Sequence, residues 1–122
     1  MNNKVGAGVL DAEVGMHATN PNDVVLGTGQ PQFVEFFSFY WTTCQAMAPV
    51  VHGLEQKYLS QIEFIYLDAS DSLTSELRSR LNYRSYPSFI LLDGQGNELK
   101  RWVGSVKESE FTSVIDDMLV GG

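Results

Sequence analysis

The residue that most directly suggests chemistry is Cys44, the single cysteine of the 122-residue chain. A cysteine reacts as its thiolate, which forms mixed disulfides or is oxidised to sulfenic acid. One cysteine cannot form an intramolecular disulfide, and it excludes a cysteine-rich zinc site. The alternative is an inert, buried Cys44, because free cysteines are among the most buried residues in proteins.

Three consecutive aromatic residues, Phe39, Tyr40 and Trp41, lie just before Cys44. They fall at a predicted turn from strand to helix, and they make this turn more aromatic than a loop requires. An exposed aromatic patch predicts a partner-binding surface, since indole rings are well suited to interfaces. The alternative is that Trp41 simply covers the hydrophobic core.

Glu35 lies in the middle of the apolar segment that runs from Phe33 to Phe37. A buried carboxyl has a raised pKa and can act as a general base. We therefore treat Glu35 as a candidate base toward Cys44. The alternative is a strand at the sheet edge, from which Glu35 reaches water.

These residues depend on elements that alternate between strand and helix. The hydrophobic periodicity predicts strands at 33–37, 62–67, 88–92 and 98–103 and helices at 43–58, 73–81 and 105–119. Helix-connected strands favour parallel pairing, and a hairpin at 93–97 adds an antiparallel edge. The fold class is therefore α/β, with a central mixed sheet flanked by helices on both faces.

Helix boundaries follow from local motifs. Thr42 with Gln45, and Ser105 with Glu108, fit capping boxes at helix starts. Pro49 lies inside the first helix and predicts a kink. The leucines at 73, 77 and 81 are predicted to line one side of the second helix.

The chain is predicted to consist of an irregular N-terminal arm, residues 1–28, and one domain, residues 29–122. Glycines and Pro21 interrupt the arm, in which we predict a short edge strand at Val5 to Leu10 and one helical turn at Asn22 to Leu26. His17 in the arm and His52, on a predicted solvated helix face, are given no functional role.

The net charge of −7 argues against nucleic acid as a partner, because such binding depends on basic side chains. No spacing of His, Asp or Glu suggests a metal, and no cofactor is indicated. No signal peptide or membrane-spanning run is visible. We therefore expect a cytoplasmic protein, or a domain trimmed from a membrane-anchored or exported precursor.

The order of elements and four local motifs resemble the thioredoxin family, from about residue 32 to residue 119. The segment from Tyr40 to Cys44 falls where that family carries Trp-Cys-x-x-Cys at a helix start. Pro49 is similar to the family's helix-kinking proline. The segments Tyr86-Pro87-Ser88 and Val103-Gly104 resemble its cis-proline loop and the end of its last strand.

The redox motif departs from the family pattern. Without a gap, Trp41 replaces the first cysteine and Cys44 is the second. In the other alignment Trp41 is the family's tryptophan, and the first cysteine is deleted. Both alignments remove the first cysteine, whose thiolate attacks a substrate disulfide before the second cysteine resolves the mixed disulfide. The resemblance thus implies that dithiol reductase activity is lost or reduced to monothiol chemistry.

The resemblance also implies roles for individual residues. Glu35 corresponds to a buried acid that assists proton transfer at the second cysteine. The Tyr86–Pro87 bond is expected to be cis, with a trans strand-entry proline as the alternative. The expected substrate-binding residues are Tyr40, Trp41, Thr42, Thr43, Tyr86 and Pro87, and the expected partner is a thiol- or disulfide-bearing protein or peptide.

Three functions remain open at this point. The chain is a thioredoxin-like protein with lost or monothiol activity, a non-catalytic peptide-binding module that uses the cis-proline groove, or a reductase whose first motif cysteine was altered. We expect a monomer, with a dimer linked through a Cys44 disulfide as the alternative.

Overall fold

The computed structural model describes residues 16–121, so the edge strand predicted at Val5 to Leu10 lies outside the described residues. The four strands are β1 Gln32–Phe37, β2 Glu63–Asp68, β3 Ser88–Leu92 and β4 Glu98–Val103. The helices are α1 Thr42–Tyr58, α2 Ser75–Arg80 and α3 Glu108–Gly121, and 3₁₀ turns cover Pro21–Asp23 and Ser72–Thr74. The order of elements agrees with the sequence prediction.

The strands form one mixed sheet in the order β2-β1-β3-β4. β1 pairs with β2 in parallel, and the β1–β3 and β3–β4 pairs are antiparallel. The prediction that helix-connected strands pair in parallel is thus correct for β1 and β2 but wrong for β3. Asp68 at the end of β2 pairs with Phe37, and Ser88 at the start of β3 pairs with Phe36. The chain therefore enters β3 at the sheet end where it left β2, and β3 runs in the opposite direction.

Helices cover both faces of the sheet, as predicted. On one face, α1 and α3 pack on an aromatic core whose members include Phe33, Phe89, Trp102 and Phe111. On the other face, Leu77 of α2 and nearby Leu81 pack on aliphatic side chains of β1, β2 and β3. β1 is buried along its whole length, because it has a strand on each side and helices on each face.

Both predicted capping boxes are wrong. Helix α1 has Trp41 as its N-cap without a side-chain capping bond. Gln45 instead donates its side-chain amide to the carbonyl of Phe39 at 2.8 Å, in the preceding loop. Helix α3 begins at Glu108, three residues after Ser105, so Ser105 is not its N-cap.

Smaller differences occur around α2 and in the arm. Leu73 lies in a 3₁₀ turn and is exposed, whereas Leu77 and Leu81 are buried. The helical turn expected from Asn22 is a 3₁₀ turn that begins at Pro21, where the side chain of Asn20 accepts a hydrogen bond. The hairpin at residues 93–97 and the bounds of β3 and β4 are confirmed.

The aromatic core predicts a large effect of truncating Phe111. Its ring lies 4.9–5.5 Å from the rings of Trp102, Phe89 and Phe33. Phe111→Ala should lower the free energy of unfolding by about 3–5 kcal/mol, because it leaves a cavity. Val120→Ala, at an exposed position of the same helix, should change it by less than about 0.5 kcal/mol. Urea denaturation measures both, and equal effects would contradict this account of the core.

Candidate functional site

The candidate site lies at the junction of β1 and α1. The chain leaves β1 at Phe37 and enters the helix at Thr42. Tyr40 in the connecting loop is 81% exposed and Trp41 is 41% exposed, whereas Cys44 in the first helical turn has no exposed surface. The loop therefore presents two aromatic rings to solvent while the thiol lies beneath the surface.

Trp41 contacts the loop that precedes β3. Its ring lies 4.1 Å from the ring of Tyr86 in an edge-to-face arrangement, which is a favourable geometry for aromatic pairs. The ring of Tyr86 lies 5.7 Å from that of Tyr83, which in turn packs on Phe36 of β1 at 5.0 Å. A row of aromatic rings thus joins the helix start to the sheet.

The Tyr86–Pro87 peptide bond is cis. The carbonyl of Pro87 accepts a hydrogen bond from the backbone N–H of Gly104 at 2.9 Å. The hydroxyl of Ser88 donates to the carbonyl of Ser85. These bonds attach the loop to β4 and to itself, so Tyr86 is held opposite Trp41.

The surroundings of Cys44 disfavour its thiolate. Burial raises the pKa of the thiol to about 11, and the nearby carboxyl of Glu35 also raises it. A backbone hydrogen bond from Ser38 lowers the pKa of the thiol, but this effect is smaller than that of burial. Because only the thiolate is a good nucleophile, Cys44 in this conformation is a poorly reactive thiol near neutral pH.

Glu35 is buried on the central strand, with 5% of its surface exposed. The alternative of an edge strand is therefore wrong. Burial raises the pKa of Glu35 to about 8, since a charged carboxylate is poorly solvated inside a protein. The carboxyl is thus mostly protonated at pH 7 and becomes a base only in mildly alkaline solution.

The residues predicted from the sequence are brought together to different degrees. Trp41 and Tyr86 are in ring contact, and buried Pro87 follows Tyr86 directly. Thr42 is exposed and Thr43 is half-buried in the first turn of α1. Tyr40, in contrast, extends into solvent. A surface that combines Trp41, Tyr86 and the start of α1 is therefore present.

His17 and His52 were given no role from the sequence, yet the structure places them close together. Their ring centres are 6.1 Å apart, and the ring of His17 lies 4.7 Å from that of Tyr66. Both histidines are half-buried, so the prediction of a solvated His52 is wrong. The sequence contained one indication that His52 is partly buried, because Cys44 and His52 are eight positions apart on a helix and share a face.

Comparison with known proteins defines the class of this chain. Residues 14–117 match the model of the family described as Thioredoxin. The match covers most of the chain and includes β1, α1 and the cis-proline loop. The chain therefore belongs to the thioredoxin family.

Particular relatives come from several organisms. The chain is 29% identical over 104 residues to "Thioredoxin-like protein HCF164, chloroplastic" of rice (Oryza sativa subsp. japonica). The aligned residues cover 85% of this chain and 39% of the relative. It is 26% identical over 99 residues to "Thiol:disulfide interchange protein TxlA" of Synechococcus elongatus, and the aligned residues cover 81% of this chain and 52% of the relative. It is 37% identical over 86 residues to "Thioredoxin Asp f 28" of Aspergillus fumigatus, and the aligned residues cover 70% of this chain and 77% of the relative. The chain thus spans about half or less of the first two proteins.

A solved structure shows the same fold. The thioredoxin Deadhead of Drosophila melanogaster superposes with a TM-score of 0.64 at 24% identity, covering 75% of this chain and 83% of that chain. Within residues 16–121, no helix is long and apolar enough to cross a membrane. In the same range, no group of three or more His, Cys, Asp or Glu side chains is arranged to hold a metal ion.

The burial of Cys44 predicts slow alkylation by iodoacetamide in the folded protein. With a pKa of about 11, its thiolate population near neutral pH is on the order of a hundredfold below that of a free cysteine with a pKa of about 8.5. Trp41→Ala should accelerate labelling, because it removes the ring that pairs with Tyr86, whereas Trp41→Phe should leave it slow. Mass spectrometry across pH measures the rate. Fast labelling of the wild type, with a pKa below 8.5, would contradict a shielded thiol.

Proposed function

We propose that this member of the thioredoxin family has lost dithiol reductase activity and binds an extended, thiol- or disulfide-bearing polypeptide. The binding surface consists of Tyr40, Trp41, the first turn of α1, and Tyr86–Pro87. One observation carries the proposal. A tryptophan that precedes Cys44 by three positions contacts Tyr86 at 4.1 Å, while the thiol itself is fully buried.

The loss of dithiol activity follows from the chemistry of the reaction. Disulfide reduction by this route needs an exposed thiolate to attack and a second thiol to resolve the mixed disulfide. The chain has one cysteine, and an indole ring stands where the attacking thiolate is expected. An indole has no sulfur and cannot form the mixed disulfide, so two electrons cannot pass from this chain to a substrate disulfide.

The binding role is supported by what the surface offers. Tyr40 and Trp41 expose much of their rings, and such rings are frequent anchors in protein interfaces. The neighbouring cis-proline loop is attached to β4 through Gly104, so it is a fixed edge beside the rings. Side-chain contacts to the rings, combined with backbone pairing at the loop, suit an extended chain.

A second candidate is monothiol chemistry at Cys44, which the proximity of Glu35 favours. In mildly alkaline solution the Glu35 carboxylate accepts the thiol proton. The thiolate then attacks a partner disulfide, one sulfur bonds to Cys44, and the other leaves as the partner's thiolate. This reaction requires a movement that exposes the sulfur of Cys44, which has no exposed surface in the structure. A thiol from outside this chain must then release the mixed disulfide.

Location and assembly belong to the same proposal. The HCF164 proteins of rice and Arabidopsis thaliana are described as chloroplastic, and this chain covers 39% of each. Their greater length supports a domain trimmed from a longer precursor as an alternative to a cytoplasmic protein. Because Cys44 has no exposed surface, we favour a monomer over a dimer linked by a Cys44 disulfide.

The proposed surface predicts binding of an extended peptide without any reaction at Cys44. Fully S-alkylated insulin B chain is a suitable probe, because it is unstructured and cannot exchange disulfides. Its titration should shift the indole N–H resonance of Trp41 and the ring resonances of Tyr86 in NMR spectra. The indole of buried Trp102 is the internal control and should not move.

Variants of this titration separate binding from thiol chemistry. Cys44→Ser should bind the probe as the wild type does, whereas Trp41→Ala should weaken binding about tenfold or more, as expected for an aromatic anchor worth at least about 1.4 kcal/mol. Shifts confined to other faces of the protein, or equal binding by Trp41→Ala, would argue against the surface.

Trp41→Cys tests the loss of dithiol activity and the alternative of an altered reductase. The variant has cysteines three positions apart at a helix start, so it should catalyse insulin precipitation with dithiothreitol, and the wild type should not. The double variant Trp41→Cys with Cys44→Ser is the control for a single exposed thiol. Activity of the wild type equal to that of the variant would disprove the loss, and an inactive variant would remove the altered-reductase alternative.

A further inference from the structure

Arg78 is a half-buried arginine of α2 whose charge has no partner in the described residues. Its Nε atom is buried and makes no hydrogen bond in that part of the chain. The ion pair present in residues 16–121 joins Arg101 to Glu98 at 2.8 Å. An arginine keeps its charge in a protein, and buried polar atoms are seldom left unpaired. The surroundings of this guanidinium therefore indicate what it can bind.

The guanidinium of Arg78 lies near the phenol of Tyr83. Burial raises the pKa of the Tyr83 hydroxyl above its ordinary value, while the positive charge of Arg78 lowers that pKa by a smaller amount. Tyr83 thus stays neutral near pH 7 and does not pair with Arg78 as a phenolate. The backbone N–H of Tyr83 donates to the carbonyl of Arg78 at 2.8 Å, which fixes the end of α2 beside the phenol.

The row of aromatic rings that begins at Trp41 leads to this guanidinium. The ring of Tyr86 lies 4.1 Å from that of Trp41 and 5.7 Å from that of Tyr83. Both tyrosines are half-buried, so each exposes part of its surface. An extended polypeptide rises about 3.3 Å per residue. A chain with one residue on Trp41 therefore reaches the Arg78 end of the row within a few residues.

The acidic groups around α2 do not neutralise Arg78. Asp68 and Asp71 each accept a hydrogen bond at 2.9 Å from the backbone N–H two residues later, so both are held in their own turns. Glu76 is exposed and forms no ion pair within residues 16–121. Arg84, in the loop after α2, is an exposed second positive charge. This end of the row is therefore locally positive in a chain whose net charge is −7.

We propose that the peptide-binding surface at Trp41 extends over Tyr86 and Tyr83 to Arg78, and that Arg78 selects extended polypeptides that carry an acidic side chain at this point. The specificity rests on the proposed peptide binding and adds the class of partner to it. The terminal nitrogens of Arg78 donate to the carboxylate, in charge-assisted bonds that are stronger than neutral ones. Burial of Nε restrains the arginine side chain, so binding costs less of its rotational freedom.

The overall charge of the protein predicts the opposite preference. A chain of charge −7 repels acidic peptides on average. At physiological salt, exposed charges that are more than about 8 Å apart are largely screened from one another. A nearby guanidinium therefore outweighs the distant carboxylates. Preference for an acidic peptide thus reports a positive group at the binding surface and not the charge of the whole chain.

A scan with synthetic peptides tests the role of Arg78. Each probe is unstructured, free of cysteine, acetylated at the N-terminus and amidated at the C-terminus, so a single Glu is its only carboxylate. The Glu is moved along the peptide, and Gln replaces it in the reference probe. Binding to the full chain is followed by the indole N–H resonance of Trp41. One Glu position should bind about fivefold more tightly than the Gln reference at low salt, and Lys there should give no gain.

Two arginine variants separate a local contact from general charge. Arg78→Gln should lose the Glu preference and keep the affinity for the Gln reference, which also shows that the variant is folded. Arg80→Gln removes the same charge at an exposed position of the same helix and should keep the preference.

The outcomes distinguish this specificity from the proposed function. If no Glu position is preferred, if Arg78→Gln keeps the preference, or if Arg80→Gln loses it equally, the role of Arg78 is overturned while peptide binding at Trp41 stands. If no peptide shifts the Trp41 resonance, the proposed peptide binding is overturned and the specificity with it.

Discussion

The complete burial of β1 is the constraint on which the rest of the site depends. Hydrogen bonds to β2 and β3 on its two sides, and helices over both faces, leave no room for its side chains to reach water. Glu35 must therefore place its carboxyl inside the protein, and the chain must leave the sheet at Phe37 directly toward α1. The same strand thus fixes the acid, the aromatic loop and the start of the helix that carries Cys44.

Tryptophan at position 41 changes the chemical groups that this junction presents. A cysteine there would present a small nucleophile at a helix N-terminus, where negative charge is stabilised. The indole instead contacts Tyr86 and exposes part of its ring to solvent. On the proposed function, a binding surface here takes the place of a reactive group, while the chain as a whole still matches the thioredoxin family.

The parts that were predictable from sequence are those set by local patterns. The bounds of β3 and β4 follow from a continuous apolar run, a glycine-containing hairpin and the strand that returns after it. The antiparallel direction of β3 did not follow, because it depends on where the chain crosses the sheet rather than on residue type. The proximity of His17 and His52 was missed for a similar reason, since it depends on the attachment of the arm to Tyr66 through Thr19.

The buried carboxyl also makes the charge and stability of the protein depend on pH in an unusual direction. The formal charge of −7 counts Glu35 as ionised, so the folded chain at neutral pH is one unit less negative. Between the ordinary pKa of 4.5 in the unfolded chain and about 8 in the folded chain, the folded state holds one proton more than the unfolded state. Each pH unit in that window removes about 1.4 kcal/mol of stability. This group therefore favours folding under mildly acidic conditions, in contrast to the many acidic proteins that acid destabilises.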